Sequence, residues 1–172
     1  PQAKIAAAAE ACHADLSGVE IVDVPHSHAA AARAVELVRE GRGDAIMKGA
    51  LHTDELMGAV MKTDIGLRTE RRVSHVFALD VPTYHKALLV TDAAINIYPT
   101  LDDKRDIVQN AIDLAQALGV DRPKVASLSA VETVYPKIAS TVEAAALCKM
   151  ADRGQIRGGI LDGPLAFDNA IS

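Results

Sequence analysis

Asp44-Ala45-Ile46-Met47-Lys48-Gly49-Ala50-Leu51-His52-Thr53-Asp54 reads as a short apolar run, a turn at Lys48-Gly49 and a helix start at Thr53. Strand, tight turn and helix in that order form the unit of a parallel α/β sheet. There the turns at the carboxyl ends of strands present backbone N–H groups and loop side chains to a ligand. Gly49 permits close backbone approach, Lys48 brings a point charge, and Thr53 offers a hydroxyl and a helix cap. That set suits phosphate, with His52 in the same turn. Asp54 and Glu55 in the first helical turn oppose an anion unless they face solvent. An ordinary turn whose acids complement the helix dipole reads equally well.

Upstream, Glu20-Ile21-Val22-Asp23-Val24 reads as a strand closed by Pro25, and Ser27 or His28 opens a helix. Ala31, Ala34, Val35 and Val38 give that helix an apolar stripe, and Gly41 ends it. Residues 2–13 are Ala-rich and helix-compatible. Downstream, Leu56, Met57, Val60 and Met61 share one helical face. The β-α-β-α series predicts parallel pairing with right-handed crossovers.

The character changes over residues 64–72, where five of nine are charged. A domain boundary is placed near Arg72, dividing the chain into 1–72, part of a first α/β domain, and 73–172, a truncated second one. Val73 to Val81 and Lys86 to Thr91 read as an antiparallel strand pair. Thr100-Leu101-Asp102-Asp103 opens a helix with Ile107, Ala111, Leu114, Ala115 and Leu118 inward and Gly119 at its end. Lys124 to Leu128 is the next strand. Ser140-Thr141-Val142-Glu143 reads as a capping box for a helix running to Arg153-Gly154. Gly159-Ile160-Leu161 is strand-like and breaks at Asp162-Gly163-Pro164. The chain stops at Ser172, where another helix is expected to pack, and so reads as a piece of a longer polypeptide.

Ala, Val, Ile and Leu supply most of the 49% apolar fraction, with no Trp, two Phe and three Tyr, so the core is aliphatic, as suits helices on a sheet. A net charge of -5 gives no electrostatic footprint for nucleic acid or an anionic membrane, so any anionic ligand needs a local basic cluster. Cys12 and Cys148 stand in no metal-ligand spacing and read as reduced thiols of a cytoplasmic protein. No apolar run reaches membrane-span length and no signal peptide is visible.

Arg68, Arg71 and Arg72 form a second candidate site, because guanidinium forks take phosphate and pyrophosphate bidentately. With Glu70 among them, a solvated charged loop is the plainer reading. Asp92, at a strand end with Asn96 behind it, and the run Asp162-Gly163-Pro164-Leu165-Ala166-Phe167-Asp168-Asn169 put carboxylates where strands stop. Turn or cap aspartates explain both as well. His26 and His28 lack a third ligand and read as cap or loop histidines, so no metal site is assigned. No GxGxxG, GxxxxGK[ST] or GxSxG occurs.

Four motifs in order carry a resemblance. They are Met47-Lys48-Gly49 through Thr53-Asp54; Ile65-Gly66-Leu67-Arg68-Thr69-Glu70-Arg71-Arg72-Val73-Ser74-His75-Val76; Leu89-Val90-Thr91-Asp92-Ala93-Ala94-Ile95-Asn96-Ile97; and Lys149-Met150-Ala151-Asp152-Arg153-Gly154-Gln155 leading to Asp162 through Ala170. Together they resemble the phosphate acetyltransferase and phosphate butyryltransferase family. They are most similar to the transferase half of bifunctional enoyl-CoA hydratase/phosphate acetyltransferases.

The resemblance implies two α/β domains with a ligand cleft between them, similar to the isocitrate and isopropylmalate dehydrogenase-like fold and here incomplete at both ends. It implies transfer of an acetyl or short acyl group between CoA and phosphate, with CoA and acetyl-CoA as substrates and no cofactor or metal. It also implies a cytoplasmic homo-oligomer, a dimer, without nucleic-acid or membrane partners. Lys48, Gly49, His52, Thr53, Arg68, Arg71 and Arg72 then fall to phosphate and CoA binding. Asp92, Asp162, Gly163, Pro164, Asp168 and Asn169 fall to the cleft wall.

Two departures from the family pattern stand out. Met57 sits where related sequences often place an Arg, and the catalytic Ser-Arg pair and acidic base are expected beyond Ser172, so this chain alone is expected to be inactive. A non-catalytic acyl-CoA-sensing module of the same kind, and a metal-dependent decarboxylating dehydrogenase, are the alternatives.

Overall fold

Three helices and no strand make up the first of two units, Pro1–Glu70 and Arg71–Ser172, in the computed structural model, which describes residues 1–172. The first unit comprises α1 (Gln2–Cys12), α2 (Ser27–Arg39) and α3 (Thr53–Val60). Helix α1 buries no residue. Helix α2 is capped by His26, whose ring accepts the Ala29 N–H at 3.2 Å. Its Ala31 and Val35 pack with Ala59 of α3, flanked by Ile46, Leu51, Leu56, Val60 and Leu67.

Residues 20–24 and 44–48 form no strand, which corrects the β-α-β-α expectation for this unit. Neither segment has a partner to complete a backbone ladder, and Met47 is 96% exposed. An extended segment without a neighbour leaves its N–H and C=O groups to water and gains nothing from strand geometry.

The second unit carries β1 (Val76–Leu79), β2 (Leu88–Thr91), α4 (Leu101–Ala117), β3 (Lys124–Leu128), α5 (Ala139–Asp152), β4 (Ile160–Leu165) and the short α6 (Phe167–Ala170). Strands β1 and β2 pair antiparallel from Val76 opposite Thr91 to Leu79 opposite Leu88. Strands β3 and β4 pair in parallel across the α5 connection. The chain is thus mixed α/β with two small sheets, each two-stranded.

Helix α4 starts at a full capping box. Thr100 Oγ1 accepts the Asp103 N–H, and the Asp103 carboxylate accepts the Thr100 N–H at 2.9 Å. Its inner face, Ile107, Val108, Ala111, Ile112 and Ala115, is the centre of the core, joined by Leu147 of α5 and by Ile156. Leu118, expected inward, is 60% exposed because the helix has already ended.

Two further expectations are corrected. Ser140 does not cap α5: the helix begins earlier, behind Ile138, so Ser140 lies inside the first turn and bonds Ser129 at 2.7 Å, while Glu143 pairs with Lys104. The order behind that start comes from Thr141, fully buried, whose hydroxyl accepts the Tyr135 N–H at 2.8 Å and reaches the Tyr135 and Ile138 carbonyls. Strand β4 also runs through Asp162-Gly163-Pro164 rather than breaking there. An extra residue on β4 shifts the register between Ala126 opposite Asp162 and Leu128 opposite Leu165. That bulge takes up a proline that cannot donate to the ladder. Gly163, at φ 152°, passes so close to Ser127 that a Cβ would meet its carbonyl oxygen at 2.7 Å.

Candidate functional site

In the first unit, the Lys48-to-Thr53 turn folds on itself. Lys48 Nζ donates to the Leu51 carbonyl at 3.0 Å, so the charge is drawn onto its own loop. His52 is the N-cap of α3 in extended conformation, and its side chain makes no cap bond. Thr53 is therefore the first helical residue and not the cap. Lys48, Gly49, His52 and Thr53 are all exposed, and a Cβ on Gly49 would meet nothing within 4 Å. Glu55 faces His28, with Nδ1 at 3.5 Å, and is thereby drawn aside from the turn, while Asp54 stays exposed in the first helical turn.

Arg68 follows a loop that only glycine can make. Gly66 donates to the Lys62 carbonyl at 3.0 Å and Leu67 to that of Val60 at 2.8 Å, while Arg39 holds the Gly66 carbonyl at 2.9 Å. A Cβ at Gly66 would lie 2.3 Å from Val60 O and 2.4 Å from Lys62 O. The Arg68 side chain emerges exposed from this anchored loop.

In the second unit Arg71 and Arg72 are docked along α4. Asp103, Asp106, Asn110 and Asp113, spaced three, four and three apart, form one polar stripe on the helix. Asp113 takes Arg71 Nη1 at 2.5 Å, and Asp106 takes the Arg72 backbone N–H at 2.9 Å. Asn110 donates to the Arg72 carbonyl and to Ser74, both at 2.9 Å. The stripe is readable in the sequence as a second, polar period beside the apolar one, of which only Asp103, in the helix start, carries a local signal.

Arg72 Nε also donates to Asn96 Oδ1 at 2.7 Å, and Asn96 Nδ2 donates to Asp92 at 2.5 Å and to the Val73 carbonyl at 2.9 Å. Asp92 further accepts the N–H groups of Ala94 and Ile95 at 3.0 Å and of Asn96 at 3.2 Å. Arg72, Asp92 and Asn96 are thus brought together as one network. Burial pushes the Asp92 carboxyl up, but the Ile95, Ala94, Asn96 and His75 hydrogen bonds outweigh it and hold the group below the usual carboxylate range.

The carboxyl ends of β3 and β4 gather a different set. Asp162 accepts the Gly163 N–H at 2.8 Å, Pro164 is buried, and Asn169 bonds Glu132. Ser129 donates its N–H to Leu165 O at 2.9 Å and shares a hydroxyl bond with Ser140. Asp168 is exposed on α6. Glu132 and Ser129 were missed in the sequence because only the pairing of β3 with β4 brings the chain after β3 beside Asn169 and Leu165, and Ser140 was read only as a helix cap. No group of three His, Cys, Asp or Glu side chains is assembled to hold a metal, and no helix is long and apolar enough to cross a membrane.

A crystal structure of a branched-chain phosphotransacylase from Enterococcus faecalis V583 is similar over 86% of this chain and 52% of that one, with a TM-score of 0.74 and 35% identity. The phosphate acetyltransferase of Rhizobium meliloti is 67% identical over 171 residues, 99% of this chain and 54% of that protein. The phosphate butyryltransferase of Clostridium acetobutylicum is 46% identical over 158 residues, 92% of this chain and 52% of that protein. The chain therefore spans about half the length of the curated relatives it matches. The family described as Phosphate acetyl/butaryl transferase matches residues 4–172, nearly the whole sequence, and the chain belongs to that family.

Proposed function

We propose that this chain is part of a phosphate acyltransferase that exchanges an acetyl group between CoA and inorganic phosphate. The observation that carries the reading is the 67% identity to a phosphate acetyltransferase across 99% of the chain. Identity to butyryltransferases is 46–47%, below four acetyltransferases at 58–67% though above a fifth at 40%, and the four favour acetyl over butyryl.

In the acyl phosphate to CoA direction, the CoA thiol gives its proton to a base and the thiolate attacks the carbonyl carbon. The tetrahedral intermediate then expels phosphate as the C–O bond breaks. Cationic and hydrogen-bond-donating groups that hold phosphate oxygens stabilise both the developing oxyanion and the departing phosphate. In the first unit those groups are the Lys48 ammonium, the open backbone at Gly49, His52, Thr53 and Arg68. In the second they are Arg71 and Arg72, oriented by α4, with Asp92, Asp162, Gly163, Pro164, Asp168 and Asn169 as wall residues that shape the strand ends. The general base is assigned to none of these residues.

The same reading carries the isocitrate dehydrogenase-like fold comparison and a cytoplasmic homodimer acting on acyl-CoA and phosphate, without nucleic-acid or membrane partners. Two cysteines with no disulfide and the net charge of -5 support the location and the lack of polyanionic partners. Ile97 and Tyr98, 82% and 94% exposed, support association.

The test is acyl phosphate formation from acetyl-, butyryl- and branched acyl-CoA, run on this chain and on its fusion to the part of the Rhizobium meliloti enzyme that it does not match. Phosphate-dependent turnover by the fusion, fastest with acetyl-CoA, and none by the chain alone, is expected. Acetyl-CoA binding by a folded fusion with no turnover would instead establish the sensing module.

A further inference from the structure

Within the second unit, the turn after α5 folds back on α4 and leaves an open cavity of about 620 Å³ lined by Arg71, Arg105, Asp106 and Gln109 and by Arg153, Gly154, Gln155 and Arg157 of the turn. Its wall is preassembled. Gly154, at φ 74°, reverses the chain, and Gln155 N–H bonds the Met150 carbonyl at 2.8 Å. Gln109 then clamps the Arg157 backbone from both sides, accepting its N–H at 2.8 Å and donating to its carbonyl at 3.0 Å.

The charge on this wall is lopsided: four arginines against one aspartate, in a chain of net charge -5. The single acid is already engaged, with Asp106 taking the Arg105 guanidinium on one oxygen and the Arg72 N–H on the other, both within 3.0 Å. Arg157 spends only its Nε, on the Gly154 carbonyl at 2.8 Å, and Arg153 enters no ion pair. Two guanidinium groups without carboxylate partners therefore stand four residues apart on one ordered turn. No aromatic side chain lines the cavity, so nothing there is built to stack a base.

We propose that this cavity binds the diphosphate group of a small molecule, with Arg153 and Arg157 as the principal ligands, Arg105 as a supporting one and Gln109 holding the Arg157 backbone in place. Each phosphoryl group of a diphosphate can accept one guanidinium fork, whereas orthophosphate can satisfy one fork and carries less charge. The volume falls in the range of about 300–1,000 Å³ usual for small-molecule sites and exceeds what a single phosphate fills. The cavity wall shares Arg71 with the transferase reading, but none of the ligands proposed here has a role in that reading.

The experiment is calorimetric titration of the 172-residue chain with inorganic pyrophosphate, ADP and orthophosphate. Pyrophosphate and ADP are expected to bind on the order of tenfold or more tightly than orthophosphate. Affinity should fall by a similar factor in Arg153→Ala/Arg157→Ala and recover in part in Arg153→Lys/Arg157→Lys. Equal affinity for pyrophosphate and ADP makes the diphosphate itself the recognised group. Tighter ADP makes a nucleoside diphosphate the source. Both exposed arginines lie outside the core, so circular dichroism is expected to show all variants folded. Binding unchanged in the double alanine variant, abolished by Lys48→Ala instead, or absent in the parent chain, overturns the proposal.

Discussion

Asp92 organises its loop by accepting three backbone N–H groups and the Asn96 amide. Its folded-state pKa lies below the ordinary value, so the carboxylate stabilises the fold above about pH 4 and that contribution is lost as pH falls through the lowered folded value. Acid should therefore destabilise the protein, and Asp92→Asn should remove part of that pH dependence. At neutral pH the substitution is expected to cost about 1–3 kcal/mol, since the amide replaces an acceptor oxygen by a donor facing N–H groups. Urea unfolding at neutral and acid pH measures both. Coincident curves would strip Asp92 of this structural task.

Lys48 is the matching test in the other unit. Its ammonium already holds the Leu51 carbonyl, so Lys48→Ala removes a charge and loosens the turn together. In the fusion enzyme it should raise KM for phosphate severalfold more than it lowers kcat, if the lysine acts by holding the anion in both ground and transition states. Steady-state kinetics with varied phosphate reads that split, and unchanged constants would remove the turn from the site.

At the scale of elements, α4 does two jobs with two faces. Its apolar face fills the core around the fully buried Ile112, and its polar stripe holds the Arg72 backbone and the Arg71 and Ser74 side chains. Ile112→Ala should cost about 2–5 kcal/mol, the range for truncating a large buried aliphatic residue. Asn110→Ala, at a half-buried position, should cost less in global stability, about 1 kcal/mol, because it removes the pair of hydrogen bonds to Arg72 and Ser74. Thermal unfolding that ranked them the other way would put the weight of the helix on its polar side.

What the sequence disclosed about these elements follows from where each signal resides. The α4 start and the β3 limits were legible because capping and apolar runs are local. The Ser140 box misled because an identical pattern occurs inside a helix once a buried hydroxyl, Thr141, sets the start two residues earlier. The Arg72–Asn96 and Ser129–Ser140 contacts join residues 24 and 11 apart in sequence, and no local pattern announces them. The four motifs each fall at a turn or strand end, where side chains reach out.

For the whole molecule, the largest discrepancy is the missing pair of strands in the first unit, and its cause is testable. Residues 44–48 have strand composition but no ladder partner, and a strand is stable only when its N–H and C=O groups are paired on a sheet. Amide hydrogen exchange of this chain should therefore show fast exchange at Ala45, Ile46 and Met47, while the interiors of α4 and α5 are protected through the core of the second unit. The chain spans about half of its relatives, so the partner for this segment is expected in the part it does not match. Protection at Ala45 to Met47 should rise on the order of tenfold or more in the fusion, with little change in α4. Fast exchange there in a folded, active fusion would mean that the segment before Lys48 is a loop by nature, and that the turn is placed by α3 and its packing on Ala31 and Val35 alone.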